Sequence, residues 1–333
     1  MMKGARLLLG LAISGLCLWL VLSKFSGNAS TAIIMAKIED VSLMWVLIAL
    51  GGLIFSYPLN ALRLNYVLSF DEACSCSFLQ ILPIVWVSSF LSLAVPSPAF
   101  SDGIRAALLR TTRVSNLSLA VRAVLIDRAI GLIYTLGLAG IFLLILPANI
   151  NSELADYWGI AFLAVFLSTT ATIFLGSKLV NNIQLFARLR SLFNGMRHLM
   201  KNPRMVLLFL GFALANTIIS AISLWCLARG FSVDISFWVF FVFTPAILIV
   251  NNLPFFYQGF GGREATMLFI FSHYPSAMNP DLVLIVSLLS GAIMMVSALI
   301  GAIFLPFLLL HRNDSSLSQT DYDAQNIREE SFK

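Results

Sequence analysis

The chain has 333 residues, of which 59% are hydrophobic and only 11% charged, and its mean hydropathy is +0.92. These values lie far outside the range of water-soluble globular proteins and place the chain in the membrane. The net charge of +5 sits in clusters between apolar runs. It therefore informs topology rather than a nucleic-acid partner, which is not expected. The length suits one helical bundle with no room for a second soluble domain.

Lys3 and Arg6 precede a first apolar stretch at residues 7–23, which has the basic start and apolar core of a signal peptide. Residues 26–31 offer only a weak small-residue cleavage site, so the stretch is read as an uncleaved first span. A linker at 24–41 carries Lys24, Lys37, Glu39 and Asp40, and a second span covers 43–68 with Arg63 near its far end. Residues 78–110 form an interrupted apolar element, and Arg105, Arg110, Arg113, Arg122 and Arg128 crowd one region. An apolar run at 129–147 follows, then an acidic connection at 148–157 with Glu153 and Asp156, then a span at 158–176. The connection at 178–204 is basic, and a span at 205–228 leads to a second interrupted element at 236–274. The last span is 281–309. Residues 1–310 thus read as one transmembrane domain, and the polar tail at 311–333 as disordered. No repeat of the solenoid kind is present.

Basic clusters mark the cytoplasmic side of a membrane protein. That rule puts the N-terminus, the 100–128 region and the 178–204 connection inside, and the 24–41 and 148–157 connections outside. The placement holds only if residues 78–110 enter and leave on the cytoplasmic side and residues 236–274 on the outer side. The expected fold is all-α: a polytopic membrane bundle of about six spans and two re-entrant hairpins related as an inverted repeat, in the cell inner membrane, with both termini cytoplasmic.

The two interrupted elements carry one signature. Pro96 is followed by Gly103 and Arg105, and Pro254 by Gly261 and Arg263 at identical spacing, with Gly262 and Glu264 beside them. Proline and glycine break helices, and charges are costly in hydrocarbon, so breakers and charges together mark backbone that lines a polar cavity. A chance match between two ordinary interhelical loops is the competing explanation. Pro96, Gly103, Pro254, Gly261 and Gly262 are the candidate hinge positions.

Asp102-Gly103-Ile104-Arg105, Asp127-Arg128-x-x-Gly131, and Asn252-Leu253-Pro254 leading to Gly261-Gly262-Arg263-Glu264 occur in that order. Together they resemble the lysylphosphatidylglycerol synthase transmembrane region, or flippase-like domain, over residues 5–310 or so. The second motif reads Gly-Phe-Gly-Gly-Arg-Glu, where the family usually has a residue between the last Gly and Arg-Glu. Because the chain stops at residue 333, the soluble aminoacyl-transferring domain of the namesake enzymes is expected to be absent, and lysyl transfer with it. The resemblance implies handling of a polar-headed lipid.

Adjacent Asp127 and Arg128 project about 100° apart on a helix, so each needs a partner elsewhere, and a shared network with Asp102, Arg105, Arg263 and Glu264 is the economical arrangement. Two readings stand for Asp127 and Arg128: pins at the membrane surface, or members of a headgroup site. Asp102, Arg105, Asp127, Arg128, Asn252, Arg263 and Glu264 form the candidate headgroup cavity. An Arg fork suits a phosphate or pyrophosphate, and helix N-termini after the Gly turns would add partial positive charge. At 181–203, Ile183, Phe186, Leu189, Phe193, Met196 and Met200 mark one helical face among Arg188, Arg190, Arg197 and Lys201. This basic amphipathic helix either lies on anionic membrane lipids or covers the underside of the bundle.

No metal or cofactor is expected. His198, His273 and His311 have no ligand spacing, Cys74 and Cys76 form a lone C-x-C, and no catalytic triad or phosphate-loop pattern is present. Three functions compete. A translocator of a polar-headed phospholipid or lipid-linked saccharide in envelope biogenesis is favoured, with no catalytic residue. A membrane-embedded transferase or accessory subunit of envelope lipid or glycan synthesis comes next, with Asp102, Asp127 or Glu264 as base or metal ligand. A transporter of a soluble ion or metabolite is third. Self-association is left open.

Overall fold

A computed structural model describes residues 41–69, 76–94, 98–111, 116–145, 152–179, 187–253, 256–273 and 278–308. The first apolar stretch at 7–23, the hinge candidates Pro96 and Pro254, and the tail at 311–333 lie outside the described residues. The described residues form helices joined by turns: α1 Leu43–Ser69, α2 Phe78–Ser92, α3 Pro98–Thr111, α4 Leu117–Ile145 and α5 Ser152–Leu179. They continue as α6 Ala187–Lys201, α7 Pro203–Gly230, α8 Phe237–Asn251, a 3₁₀ turn at Tyr257–Gly259, α9 Gly262–Ser272 and α10 Pro280–Leu299.

Among the described residues, five helices are long and apolar enough to cross a membrane: α1, α4, α5, α7 and α10, the last as Pro280–Leu308. In lipid every backbone polar group must be satisfied within the segment, which is why these apolar runs are helical. The protein is therefore a polytopic helical membrane bundle. Large apolar side chains point outward along it, among them Leu79, Leu207, Ile303 and Phe307, as a lipid-facing surface requires. Local signals set several helix starts. Asn202 accepts from the backbone N–H of Arg204 (3.1 Å), with Pro203 as the first residue of α7. Gln80 reaches back to the N–H of Ser77 (3.1 Å) at the start of α2.

The four remaining apolar or half-apolar helices are too short to cross. α2 and α8 have 15 residues each, α3 has 14 and α9 has 11. At a rise of about 1.5 Å per residue the longest covers roughly 22 Å of a hydrocarbon core near 30 Å thick. They come in packed pairs. Phe240 near the start of α8 meets Phe271 near the end of α9 (5.5 Å between ring centroids), so α9 returns to the level at which α8 began. In the other pair Ser101 near the start of α3 donates to the carbonyl of Ser88 in α2 (3.3 Å) across the break.

Aromatic contacts also fix which helix ends share a level. Trp45 at the start of α1 packs edge-on against Trp225 near the end of α7 (5.7 Å), which in turn meets Phe237 at the start of α8 (6.1 Å). Phe142 near the end of α4 meets Phe241 (4.6 Å), and Trp158 near the start of α5 meets Phe269 of α9 (6.2 Å).

Two apolar cores result. One joins α1 to α4 with α6 and α7 around Leu64, Ile81, Ile84, Leu109 and Ile130, and so surrounds the first short pair. The other joins α7 to α10 around Leu227, Phe240, Ile247, Met267 and Val286, and surrounds the second. Between helices in lipid, packing and interhelical hydrogen bonds replace hydrophobic burial as the driving force. Ser223 of α7 donating to the carbonyl of Ala49 in α1 (3.1 Å) is one such bond.

Hydropathy sets the fourth element at 129–147, yet α4 begins at Leu117. The helix runs through Arg122, Asp127 and Arg128 because each has a partner inside the bundle. Arg122 donates to Ser191 of α6 (3.0 Å), and the other two are described below. The amphipathic stretch at 181–203 is helical from Ala187, and residues 181–186 lie outside the described set. Its apolar face is turned to the bundle: Met196 and Leu199 are buried in the first core, so covering the underside is what this face does.

Candidate substrate cavity

The arginines of both sequence signatures line one cavity of about 640 Å³. Its charged lining comprises Arg63 of α1, Asp102 and Arg105 of α3, Arg128 of α4 and Arg263 of α9. The breaks themselves touch. Gln258 in the 3₁₀ turn of the second element donates to the hydroxyl of Ser92 (3.3 Å), the last residue of α2 in the first. Nothing in the sequence marks Gln258 or Ser92 as partners 166 residues apart.

Three carboxylates are held by three guanidinium groups. Asp127, 1% exposed, accepts two hydrogen bonds from Arg63, from Nε at 2.7 Å and Nη2 at 2.9 Å. Asp102 accepts from Nε of Arg128 (2.8 Å) in a pair that is partly exposed at the cavity wall. Glu264, fully buried, accepts from Nη2 of Arg263 (2.9 Å), from the Ser287 hydroxyl (2.9 Å) and from the N–H of Gly261. Arg263 also lies over the ring of Phe260, 5.0 Å from its centroid. The cost of leaving any of these charges unpaired in a low-dielectric interior is several kcal/mol, so pairing is what lets them sit there.

Arg105 differs. It is 5% exposed, and among the described residues its one hydrogen bond is from Nε to the Ser88 hydroxyl (3.1 Å), with no carboxylate in ion-pair contact. The two terminal nitrogens of its fork remain available on the cavity wall.

Two glycines make room for the buried guanidinium groups. A Cβ at Gly131, one turn beyond Asp127 on α4, would come 2.8 Å from Nη1 of Arg63. A Cβ at Gly291 of α10 would collide with Nη2 of Arg263. The Asp127-Arg128-x-x-Gly131 motif thus has a physical content: Asp127 holds Arg63 and Gly131 seats it, while Arg128 turns to the cavity. At the second break Gly261 has φ +83° and Gln258 φ 50°. The left-handed turn delivers the N-terminus of α9, with Glu264 at its third position accepting from Gly261 as half of a capping box.

Of the sequence candidates, the cavity brings together Asp102, Arg105, Arg128, Asn252 and Arg263 on its walls. Asp127 and Glu264 stand behind Arg63 and Arg263, within the same network. Gly261 sits at the turn and Gly262 is the first residue of α9. Gly103 is at no turn. It lies inside α3, which starts five residues earlier at Pro98, and a Cβ there would meet nothing within 4 Å. The helix passes through Gly103 without a break because its exposed position and helical backbone make no demand that another residue could not meet. Among the described residues the expected glycine turn is thus found in the second signature, whereas Gly103 of the first is helical. Arg63 was visible in the sequence merely as a charge near the end of a span, and its role as the partner of Asp127 was not. A charge four to six residues inside an apolar helix end is the one signal that pointed to it.

The walls are amphipathic. Polar residues Ser56, Asn60, Thr135, Asn216, Ser220 and Ser290 face the same space as Leu53, Leu125, Leu132, Leu224, Ile247 and Leu248. The exposed residues Leu125 and Asn252 belong to the lining, so the space is open rather than sealed.

Residues 7–311 match the family described as the lysylphosphatidylglycerol synthase TM region. The chain belongs to this family. The match takes in both interrupted elements and every charge around the cavity, so the resemblance carried by residues 102–105, 127–131 and 252–264 extends across the whole bundle. Among curated proteins none matches the chain. Membership of this TM-region family and five long apolar helices together make it a multi-pass membrane protein.

Proposed function

We propose that this family member is a translocator of a polar-headed lipid in the cell inner membrane, serving envelope biogenesis. The observation that carries the reading is the open, amphipathic cavity, with arginines and hydroxyls on some walls and leucines on others. A lipid brings a headgroup for the charged part of such a wall and acyl chains for the apolar part, and the opening of the cavity lets both enter together.

The short helix pairs act in this reading as re-entrant hairpins inserted from opposite faces, with six spans once residues 7–23 are counted and both termini in the cytoplasm. Two observations support it. The open ends of α8 and α9 share a level through Phe240 and Phe271, and the breaks of the two pairs meet through Gln258 and Ser92. Tip-to-tip contact between hairpins too short to span fits an inverted repeat with its site at mid-membrane. Lys201, exposed at the end of α6, then lies at the cytoplasmic surface among anionic lipids.

Arg105 is the headgroup ligand in this mechanism, because its fork is uncommitted, while Arg63, Arg128 and Arg263 each hold a carboxylate. The transferase reading gains no support from the carboxylates, since Asp102, Asp127 and Glu264 are all held by arginines. The test uses proteoliposomes containing trace acyl-chain-labelled phosphatidylglycerol, with dithionite bleaching reporting outer-leaflet exposure. The protein should expose inner-leaflet label faster than protein-free vesicles, and Arg105→Gln should slow it. Bleaching indistinguishable from protein-free vesicles, with folded protein present, would refute the function.

A further inference from the structure

We infer that the headgroup taken by this cavity is anionic and hydroxyl-rich, a phosphodiester carrying a neutral polyol or sugar, and that cationic headgroups are excluded. The inference rests on the lipid-handling reading and narrows its substrate class. The charge balance comes first. Four guanidinium groups stand at the wall, those of Arg63, Arg105, Arg128 and Arg263, against the three carboxylates of Asp102, Asp127 and Glu264. Among the described residues one positive charge is left over, and geometry assigns it to Arg105. A planar fork with two free N–H-bearing nitrogens matches two oxygens of a phosphodiester.

The direction in which the carboxylates face comes second. An ammonium headgroup needs an acceptor carboxylate inside the cavity. Asp127 is 1% exposed and Glu264 0%, each turned away into its own arginine. Asp102 is the one carboxylate on the wall among the described residues, and it is held by Arg128. A cationic headgroup would therefore meet an excess of positive charge with no free carboxylate among the described residues to offset it.

The neutral polar groups come third. Ser56, Asn60, Thr135, Asn216 and Ser220 line the cavity on α1, α4 and α7. Several already satisfy themselves on their own helices. Asn60 donates from Nδ2 to the carbonyl of Ser56 (3.0 Å), which leaves its amide oxygen as an acceptor, and Thr135 donates to Gly131 (2.8 Å), which leaves the lone pairs of its hydroxyl oxygen. Acceptors left free on α1 and α4, together with the polar side chains of Asn216 and Ser220 on α7, suit ligand hydroxyls, which can donate to the first and bond either way with the second. A phosphodiester alone has no proton to offer those acceptors.

The experiment compares headgroups in one proteoliposome system with phosphatidylcholine as carrier. Trace acyl-labelled phosphatidylglycerol, phosphatidylinositol and lysyl-phosphatidylglycerol are followed in parallel by dithionite bleaching. Phosphatidylglycerol and phosphatidylinositol should move at least about tenfold faster than lysyl-phosphatidylglycerol, the rate ratio that a modest charge preference gives. Arg105→Gln should bring that ratio toward unity by slowing the anionic lipids. Should this variant fail to fold, the wild-type comparison decides alone. Lysyl-phosphatidylglycerol moving as fast as phosphatidylglycerol overturns the inference and leaves the translocator reading intact. No lipid moving above protein-free vesicles overturns the translocator reading itself. Thermal protection by soluble inositol 1-phosphate, without movement of any lipid, assigns the same chemistry to a free phosphorylated polyol and overturns the lipid assignment.

Discussion

Removing the carboxylate of Asp127 separates a structural pin from a transport residue. The group is 1% exposed and takes two hydrogen bonds from Arg63, whose side chain is 12% exposed and rests against Gly131. Asp127→Ala leaves that guanidinium buried in the bundle without a counter-charge, and breaking one partner of a buried pair costs about 3–5 kcal/mol. With an unfolding entropy near 2.1 cal/mol/K per residue, a chain of 333 residues should then lose about 4–7 °C in melting temperature. Asp102→Asn acts on the pair at the cavity wall, where the side chains are 19% and 36% exposed, and should cost about 1 kcal/mol or less. Its effect belongs in lipid movement instead. The assay is thermal unfolding of the detergent-solubilised protein followed by tryptophan fluorescence, beside the bleaching assay. Replacing both Arg63 and Asp127 by apolar residues of similar size should recover most of the lost stability. An Asp127→Ala protein that melts like the wild type but moves no lipid would refute the assignment of this pair as a pin.

Three further outcomes follow from the same geometry. Gly131→Ala should cost about 1–3 kcal/mol, because its Cβ would displace the Arg63 guanidinium; an unchanged melting temperature would mean that Arg63 has room to move. Arg263→Gln alone should destabilise strongly, since it strands the fully buried Glu264, while Arg263→Gln with Glu264→Gln should regain both stability and lipid movement; continued loss of movement in the stable double variant would place Arg263 among the headgroup ligands. A single cysteine at 151 should react with impermeant maleimide from outside and one at the exposed position 194 only from inside; labelling of 194 from outside would overturn the hairpin topology.

The sequence made the membrane class legible through apolar runs alone, and the two broken elements through proline, glycine and arginine at matched spacing. Charge placement also located the short helices, since the elements at 78–110 and 236–274 are where the structure has α2 with α3 and α8 with α9. What it could not give was pairing. Asp127 and Arg128 are neighbours in sequence and do not bond, whereas Arg263 and Glu264 are also neighbours and do. The difference is positional. Glu264 sits at the third residue of α9, where its carboxylate bends back toward the helix start and meets a guanidinium folding over Phe260. Asp127 is mid-helix, with no such freedom, and its partner comes from α1. Local spacing predicts which side chains cannot meet far better than which distant ones will.

That asymmetry reorders the two arginines that the repeated signature treats as equivalent. Arg105 and Arg263 occupy the same place after their prolines, and both reach the cavity. The glycine before Arg263 is a left-handed turn, and Glu264 follows at once, so the second copy builds a closed ion pair at a helix start. The glycine before Arg105 is buried in no turn, α3 starts earlier, and the residue after Arg105 is Ala106. The nearest acid on α3, Asp102, is drawn off by Arg128 from α4. The cation of the second copy is thus held by Glu264, while that of the first has no carboxylate in contact among the described residues. Two copies of the signature with equal pairing would have either two free arginines or none. In the proposed reading the charge of Arg105, unmatched among the described residues, is what gives the cavity a preferred sign.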